Sequence, residues 1–401
     1  MKSLKELYRI GPGPSSSHTL GPQRATVLFK RKYAQAVRYE VELYGSLSLT
    51  GKGHLTDYII KKTMEPKPCE IFFKNREDLK HPNTMHLMAF DAQDTLLGEW
   101  TVYSVGGGAI EIEGEDNGEG KEVYPHQSLA QIEEYCKQHT MKLWEYVNAF
   151  DDLDDYMEEI LSQMLTTVEQ GLTKEGVLPG KLELSRIAKS LKQKADQATS
   201  ASEKEKLLLC AYAYAASEEN ASGNMTVTAP TLGSSGIIPS LIYYFYKDLG
   251  YSKEMILNGL KVAGLFGNLI KENATISGAQ GGCQAEIGAA VAMGAAMCAY
   301  FWGLETSQIE YAAEIGIEHH LGLTCDPVGG YVMIPCIERN AVGVLRALDA
   351  ALLAKHISDV REHRVTFDMV VNTMNYTGKK IPLELRETSL GGLARVVPLK
   401  R

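Results

Sequence analysis

VRYEVELYGSLSL, residues 37–49, alternates apolar and polar side chains from Val37 to Leu43, the period of a half-buried strand. CEIFFK (69–74) and GEWTVYSVGGGAIEI (98–112) have the same character, with SVGGGAI (104–110) reading as a bend between strands. The stretch from Pro22 to about Ala36 has helical periodicity and is opened by Gly21 and Pro22 as N-cap and first-turn residue. Ser128–His139 and Leu143–Asn148 also read as helices. An acidic run, AFDDLDDYMEE (149–159), begins a linker helix, and TKEGVLPGKLELS (173–185) reads as an exposed connection. From about 186 to 380 the pattern is almost wholly helical. Within it, Ile287 to Trp302 forms a 16-residue apolar run, rich in Ala and Gly, that suits a helix buried on all sides. The expected fold is multi-domain α+β: a small α/β domain over 1–150, a linker over 151–185 and an all-α catalytic domain over 186–401.

Composition narrows the function. Hydrophobic residues make up 44% and charged residues 23% of the chain, as in ordinary globular proteins. The formal net charge is −9 and no basic run occurs, which argues against nucleic acid and anionic membrane surfaces as partners. The 16-residue apolar run is too short to span a bilayer comfortably. The start, MKSLKELYRIGPGPSSSH, has no signal-peptide hydrophobic core. With an odd number of cysteines, seven, a reducing cytoplasm is the expected location.

Three of those cysteines sit in Gly-rich or polar breaks of the helical half: Cys283 in GGCQAEIG, Cys325 in LTCDPVGG and Cys336 in IPCIERN. Ionisable neighbours accompany them: Glu286, Asp326, Glu338 and Arg339. Three thiolates with one empty position would turn an iron–sulfur cluster into a Lewis acid, whereas an electron carrier normally has four cysteines. The intervals of 42 and 11 residues are not those of a zinc finger, and on spacing alone packing cysteines remain the alternative. Cys69, Cys136, Cys210 and Cys298 lie in strand-like or helical contexts, as packing residues would.

Three polar segments could line a site. IGPGPSSSHTLGP (10–22) puts Ser15, Ser16, Ser17, His18 and Thr19 just before a helix, where hydroxyls and free N–H groups could hold a carboxylate or phosphate. A simple capped turn is the alternative. YGSLSLTGKGHLTD (44–57) runs from a strand into a loop with Lys52 and His54. It lacks the Gly-Lys-Ser/Thr ending of a phosphate loop, and His54 is either a general base or an exposed loop histidine. NASGNMTVTAPTLGSSGIIPS (220–240), with Asn224 and Thr226, is polar and turn-rich inside a helical domain. It is either a pocket lining or an inter-helix loop.

Together these segments, with VLPGKL (177–182), EIGIEHHLGLTCDPVGG (314–330) and RETSLGGLA (386–394), resemble the single-chain iron–sulfur L-serine dehydratases along nearly the whole chain. The resemblance implies a small-molecule amino-acid substrate, conversion of L-serine to pyruvate and ammonia, and one 4Fe–4S cluster per chain on Cys283, Cys325 and Cys336. It further implies His54 as the base with His18 as second candidate, and Ser15, Ser16, Ser17, Thr19, Lys52, Asn224 and Thr226 as substrate-binding residues. A homodimer is expected. No segment presents a Schiff-base lysine, so pyridoxal phosphate is not expected. Threonine or cysteine as substrate, or a non-catalytic amino-acid sensor, remain alternatives. Many single-chain relatives end in a cysteine that reaches the cluster; none follows Cys336 here. That departure implies a fourth iron carrying water or a small anion, and strong oxygen sensitivity.

Overall fold

The computed structural model describes residues 1–76, 78–115 and 120–397. The strands are β1 (Ile10–Pro12), β2 (Arg38–Gly45), β3 (Cys69–Phe73), β4 (Asn83–Phe90), β5 (Leu96–Gly106), β6 (Ala109–Ile112) and β7 (Met225–Val227). The helices of the N-terminal half are α1 (Gly21–Lys32), α2 (Ser46–Leu49), α3 (Thr56–Met64), α4 (Leu129–His139), α5 (Leu143–Phe150) and α6 (Asp154–Thr173). Those that follow are α7 (Ala188–Gln197), α8 (Ala201–Ala221), α9 (Ile237–Tyr243), α10 (Lys253–Asn273), α11 (Gly278–Gly281), α12 (Ile287–Phe301), α13 (Thr306–Glu318), α14 (Cys336–Ile357), α15 (Phe367–Lys380) and α16 (Leu393–Val396). A small α/β region followed by a largely helical one is thus the observed architecture.

The sheet runs β3-β2-β4-β5-β6, with β2 and β3 parallel and the other pairs antiparallel. Its inward residues Tyr39, Val41 and Leu43 of β2 meet Met85, Leu87 and Ala89 of β4, and α1 and α3 cover that face through Ala25, Phe29, Ile59 and Ile60. The alternation read from 37–43 is therefore the buried face of a strand. The first helix is shorter than its periodicity suggests. It ends at Lys32, where Tyr33 turns its ring onto Phe29 and Trp100. It is entered through a π-helical turn, Ser16–Leu20, instead of a side-chain cap.

The helical region is organised around α12. Every residue from Ile287 to Ala299 is buried, and α10, α13 and α14 pack around it. Small side chains permit that approach: a Cβ on Gly316 of α13 would lie 3.1 Å from the Ala292 Cα. Helices on both sides of residue 150 share this core. Leu129, Ile132 and Tyr146 belong to it, as do Met157, Ile160 and Met164 of α6. Of the acidic run, Asp154, Asp155, Glu158 and Glu159 lie on the outer face of α6, whereas Asp151 is buried and accepts from Ser3, Leu4 and Tyr124. The 174–187 connection is only partly exposed, because Leu178 packs against Ala221, Met333 and Ile337.

A two-stranded ribbon ties the chain start to the helices. β1 pairs antiparallel with β7, Ile10 opposite Val227 and Pro12 opposite Met225. Behind it, α6 crosses α8 at Gly171, where an added Cβ would stand 2.3 Å from the Ala215 carbonyl oxygen. Backbone cannot yield as a flexible side chain can, so Gly171→Ala should destabilise the protein by about 1–3 kcal/mol. Denaturant unfolding of the variant beside the parent checks this; an unchanged midpoint would show that the two helices can part freely.

Candidate active site

The polar turn at 13–19 is fixed from below. Asn220, at the end of α8, donates its side-chain N–H to the Pro14 carbonyl at 2.7 Å, and the Gly13 N–H donates to the Asn224 carbonyl at 2.9 Å. Only glycine fits at position 13, since a Cβ would meet the Asn220 carbonyl oxygen at 2.0 Å. Thr226 donates to the Asn220 side-chain oxygen at 3.2 Å. Asn224 and Thr226 therefore support the turn. The Thr19 hydroxyl is likewise taken up locally, by the Pro12 and Ser15 carbonyls. Ser15, Ser16 and Ser17 are all buried.

His18 stacks on His54, ring centroids 4.2 Å apart. Both are buried, so His54 is no exposed loop histidine. His54 Nδ1 lies 3.1 Å from the Thr50 carbonyl, which can only accept, so this nitrogen carries the proton and Nε2 is left as an acceptor. His18 Nε2 faces the Ser46 carbonyl at 3.3 Å and the Thr50 hydroxyl at 2.8 Å, while Nδ1 faces the Ser15 hydroxyl at 3.3 Å. Burial lowers both pKa values, that of His54 to about 4, so both rings are neutral near pH 7. Lys52, by contrast, is exposed, with its ammonium 5.2 Å above the Phe73 ring and away from the histidines. The glycines on either side allow the loop but do not direct its lysine inward.

The three cysteines converge from separate breaks. Cys283 follows Gly282, which takes φ 72°, and Cys336 is the first residue of α14. Cys325 lies in a bridge to the C-terminal segment: its N–H donates to the Leu385 carbonyl at 2.8 Å, and the Glu387 N–H donates to its carbonyl at 2.7 Å. The thiols are close enough to shift one another. The hydrogen bond from Cys325, helped by the Arg339 charge, lowers Cys283 to about 6, and burial raises Cys336. Arg339 is held by the Thr324 carbonyl at 2.6 Å and approaches Asp326 at 3.7 Å. Glu286, on the Thr231 hydroxyl at 2.8 Å, is pushed up to about 8 by burial and by Cys283. A Cβ on Gly278 would fall 2.7 Å from its Oε2 and 3.4 Å from Cys325 Sγ, so this glycine keeps the space beside the thiols clear. A trio of soft donors, Cys283 and Cys325 buried and Cys336 half-buried, with a guanidinium nearby, space held open by glycine and no other cysteine in the group fits a sulfur-ligated iron cluster.

Glu387 joins the two halves. Its Oε1 lies 3.5 Å from His18 Nδ1 and 3.7 Å from His54 Nε2, and Ser46 Oγ donates to its carbonyl. Ligand atoms of His18, His54 and Glu387 all lie within 4.8 Å of one another, a second donor set that could surround a cation. Its residue type does not distinguish Glu387 in the sequence; its place in RETSLGGLA was the available signal. Beside it opens a cavity of about 960 Å³ between the sheet and α15, walled in part by Ser46, Ala279, Arg386 and Thr388.

Residues 89–394 match the family described as serine dehydratase alpha chain, and residues 3–70 and 61–115 the serine dehydratase beta chain. The L-serine dehydratases of Helicobacter pylori strain 26695 and of Haemophilus influenzae are each 37% identical to this chain, over 98% of it and 99% of their own length. L-serine dehydratase 2 of Escherichia coli K12 is 36% identical over 98% of both. The molecule is an enzyme, a carbon–nitrogen lyase. The chain belongs to the serine dehydratase family, of the iron–sulfur type. No helix among the described residues is long and apolar enough to cross a membrane.

The buried imidazoles set an acid limit on stability. Burial lowers His18, His54 and His81, the last two to about 4, from an ordinary value of 6.5. Between those values these imidazoles bind protons in the unfolded chain and not in the folded one, so their contribution to stability falls as pH drops from 6.5 towards 4. The raised carboxyls of Glu133, Glu218, Glu286 and Glu314 work in the opposite direction. In cluster-free protein the denaturation midpoint of the parent, taken relative to that of His54→Asn, should decline through that window. An identical slope in the variant would mean that His54 takes up its proton while folded.

Proposed function

We propose that the enzyme converts L-serine to pyruvate and ammonia by dehydration, with Cys283, Cys325 and Cys336 holding one 4Fe–4S cluster per chain. The observation that carries this reading is the meeting of a neutral, tautomer-fixed His54 with the thiol trio through one residue, Glu387. When bound, the cluster would supply a Lewis acid for the substrate hydroxyl, the poor leaving group of the reaction.

The protein's own groups would do the rest. His54 Nε2 takes the α-proton while Nδ1–H stays on the Thr50 carbonyl, and the β-hydroxyl departs with that proton as water, which returns the imidazole to its neutral form. The aminoacrylate released tautomerises to an imine, which water hydrolyses to pyruvate and ammonia. His18, fixed at Nε2, faces Ser15 with Nδ1, and the buried serine turn offers donors for the substrate carboxylate. Burial of the whole constellation excludes water and strengthens each of these contacts.

Anaerobic reconstitution with iron and sulfide, followed by a pyruvate assay with L-serine, L-threonine and L-cysteine, tests the reading. Serine binding without pyruvate would replace it by a sensor. Ser in place of Cys283, Cys325 or Cys336 should abolish both the sulfur-to-iron absorption and turnover. The same change at Cys69, Cys136, Cys210 or Cys298 should spare both, and a full cluster in Cys325→Ser would refute the ligand set.

His54→Ala should lower turnover by about 10²–10⁴-fold, the usual contribution of a general base. Label loss from α-deuterated serine at the parent rate in that variant would assign the proton transfer to another group.

A further inference from the structure

Glu387 has one oxygen too many for the work described so far. Oε1 faces the two histidines, but Oε2, completely enclosed, has no hydrogen-bond partner among the described residues. A carboxylate oxygen buried without a donor is costly, and native proteins keep such groups where a ligand supplies the partner. No lysine or arginine among the described residues pairs with it. Arg339, the cation nearest the thiols, is committed to the Thr324 carbonyl and Asp326.

The backbone confirms that this placement is enforced. Glu387 takes φ 58°, a left-handed conformation that disfavours a side-chain-bearing residue. Two hydrogen bonds hold it there, its N–H to the Cys325 carbonyl and the Ser46 hydroxyl to its own carbonyl. The carboxyl is thereby directed between the histidine pair and the thiol trio, with the Ser15 hydroxyl and Ala279 N–H facing it.

We propose that Glu387 Oε2 receives the α-ammonium of the substrate and so makes the site select α-amino acids over 2-hydroxy acids of the same skeleton. The proposal rests on the dehydratase reading above. An ammonium brings three N–H donors and a full positive charge, which is what the orphaned oxygen lacks. A hydroxyl in the same place brings one donor and no charge, and is the weaker partner for a buried carboxyl. The contact also sets the α-hydrogen geometry, since the ammonium would be held on the carboxylate whose other oxygen faces His54 Nε2.

The test compares L-serine with L-glycerate, which keeps the carboxylate and β-hydroxyl but replaces the ammonium by hydroxyl. In reconstituted Glu387→Gln, kcat/KM for L-serine should fall roughly 30-fold or more, mostly through KM, as expected for one partner lost from a buried charge pair. The inhibition constant of L-glycerate against L-serine should stay within about threefold or improve. Glu387→Asp, which keeps the charge, should show a smaller loss in the same direction and decides the matter if the glutamine variant does not hold its cluster. A fall in kcat with KM unchanged would make Glu387 a positioning residue for His54 and overturn the proposal. Equal weakening of serine and glycerate would do the same, as would a tightly held divalent ion, beyond the cluster iron, that is lost in Glu387→Gln. Absence of pyruvate from the parent enzyme would instead remove the dehydratase reading itself.

Discussion

A pair of backbone hydrogen bonds, Cys325 N–H to the Leu385 carbonyl and Glu387 N–H to the Cys325 carbonyl, fastens the C-terminal segment alongside one of the thiols. Everything at the site depends on that splice. Ser46, at the end of β2 in the sheet domain, grips the same segment through the Glu387 carbonyl. Ser389 continues the attachment by donating to the Pro327 carbonyl at 2.7 Å, and the Leu393 N–H donates to Asp326 at 2.7 Å. One short stretch thus bonds the sheet domain to the cysteine loops, although Ser46 and Cys325 are far apart in the chain.

The chemistry this creates is governed by desolvation. His18 and His54 lose their affinity for protons by burial, while Glu286 and Glu387 gain it for the same reason. Burial keeps the His54 imidazole unprotonated near pH 7, at the cost of some of its basicity. Such a concentration of buried ionisable groups costs stability. The cost is offset elsewhere, in the close-packed Ala and Gly helix α12 and the apolar shell around it.

Much of this was legible in the sequence, and the exceptions have physical causes. The alternation at Val37–Leu43 shows because β2 has one wet face, and Ile287–Phe301 shows because α12 has none. β4 carries no such contrast: Met88 and Phe90 lie on the opposite face from Leu87 and Ala89, so both faces are apolar. β1 and β7 are three residues each, below the length at which any period registers. The cysteine trio and His54 stand out in the sequence because rare residue types occupy polar breaks. Glu387 is one of 50 acidic residues, and its left-handed backbone and unpartnered oxygen exist only in the fold. Lys52 stands out in the sequence for its glycine loop, while in the fold its flexible chain carries the ammonium over the Phe73 ring.

The order of these dependencies bears on how the site can be assembled. The serine turn needs Asn220 from α8, the histidine pair needs Thr50 and Ser46 from the sheet domain, and the thiols need three separate breaks of the helical domain. None of these groups contacts all the others directly. The segment around Glu387 does, and its bonds require Ser46 and Cys325 to be in place already. The histidine pair, the Glu387 carboxyl and the thiols therefore come together only when the sheet and the helical region are docked. The reactive constellation is confined to the fully folded chain, where water and competing ions have the least access to it.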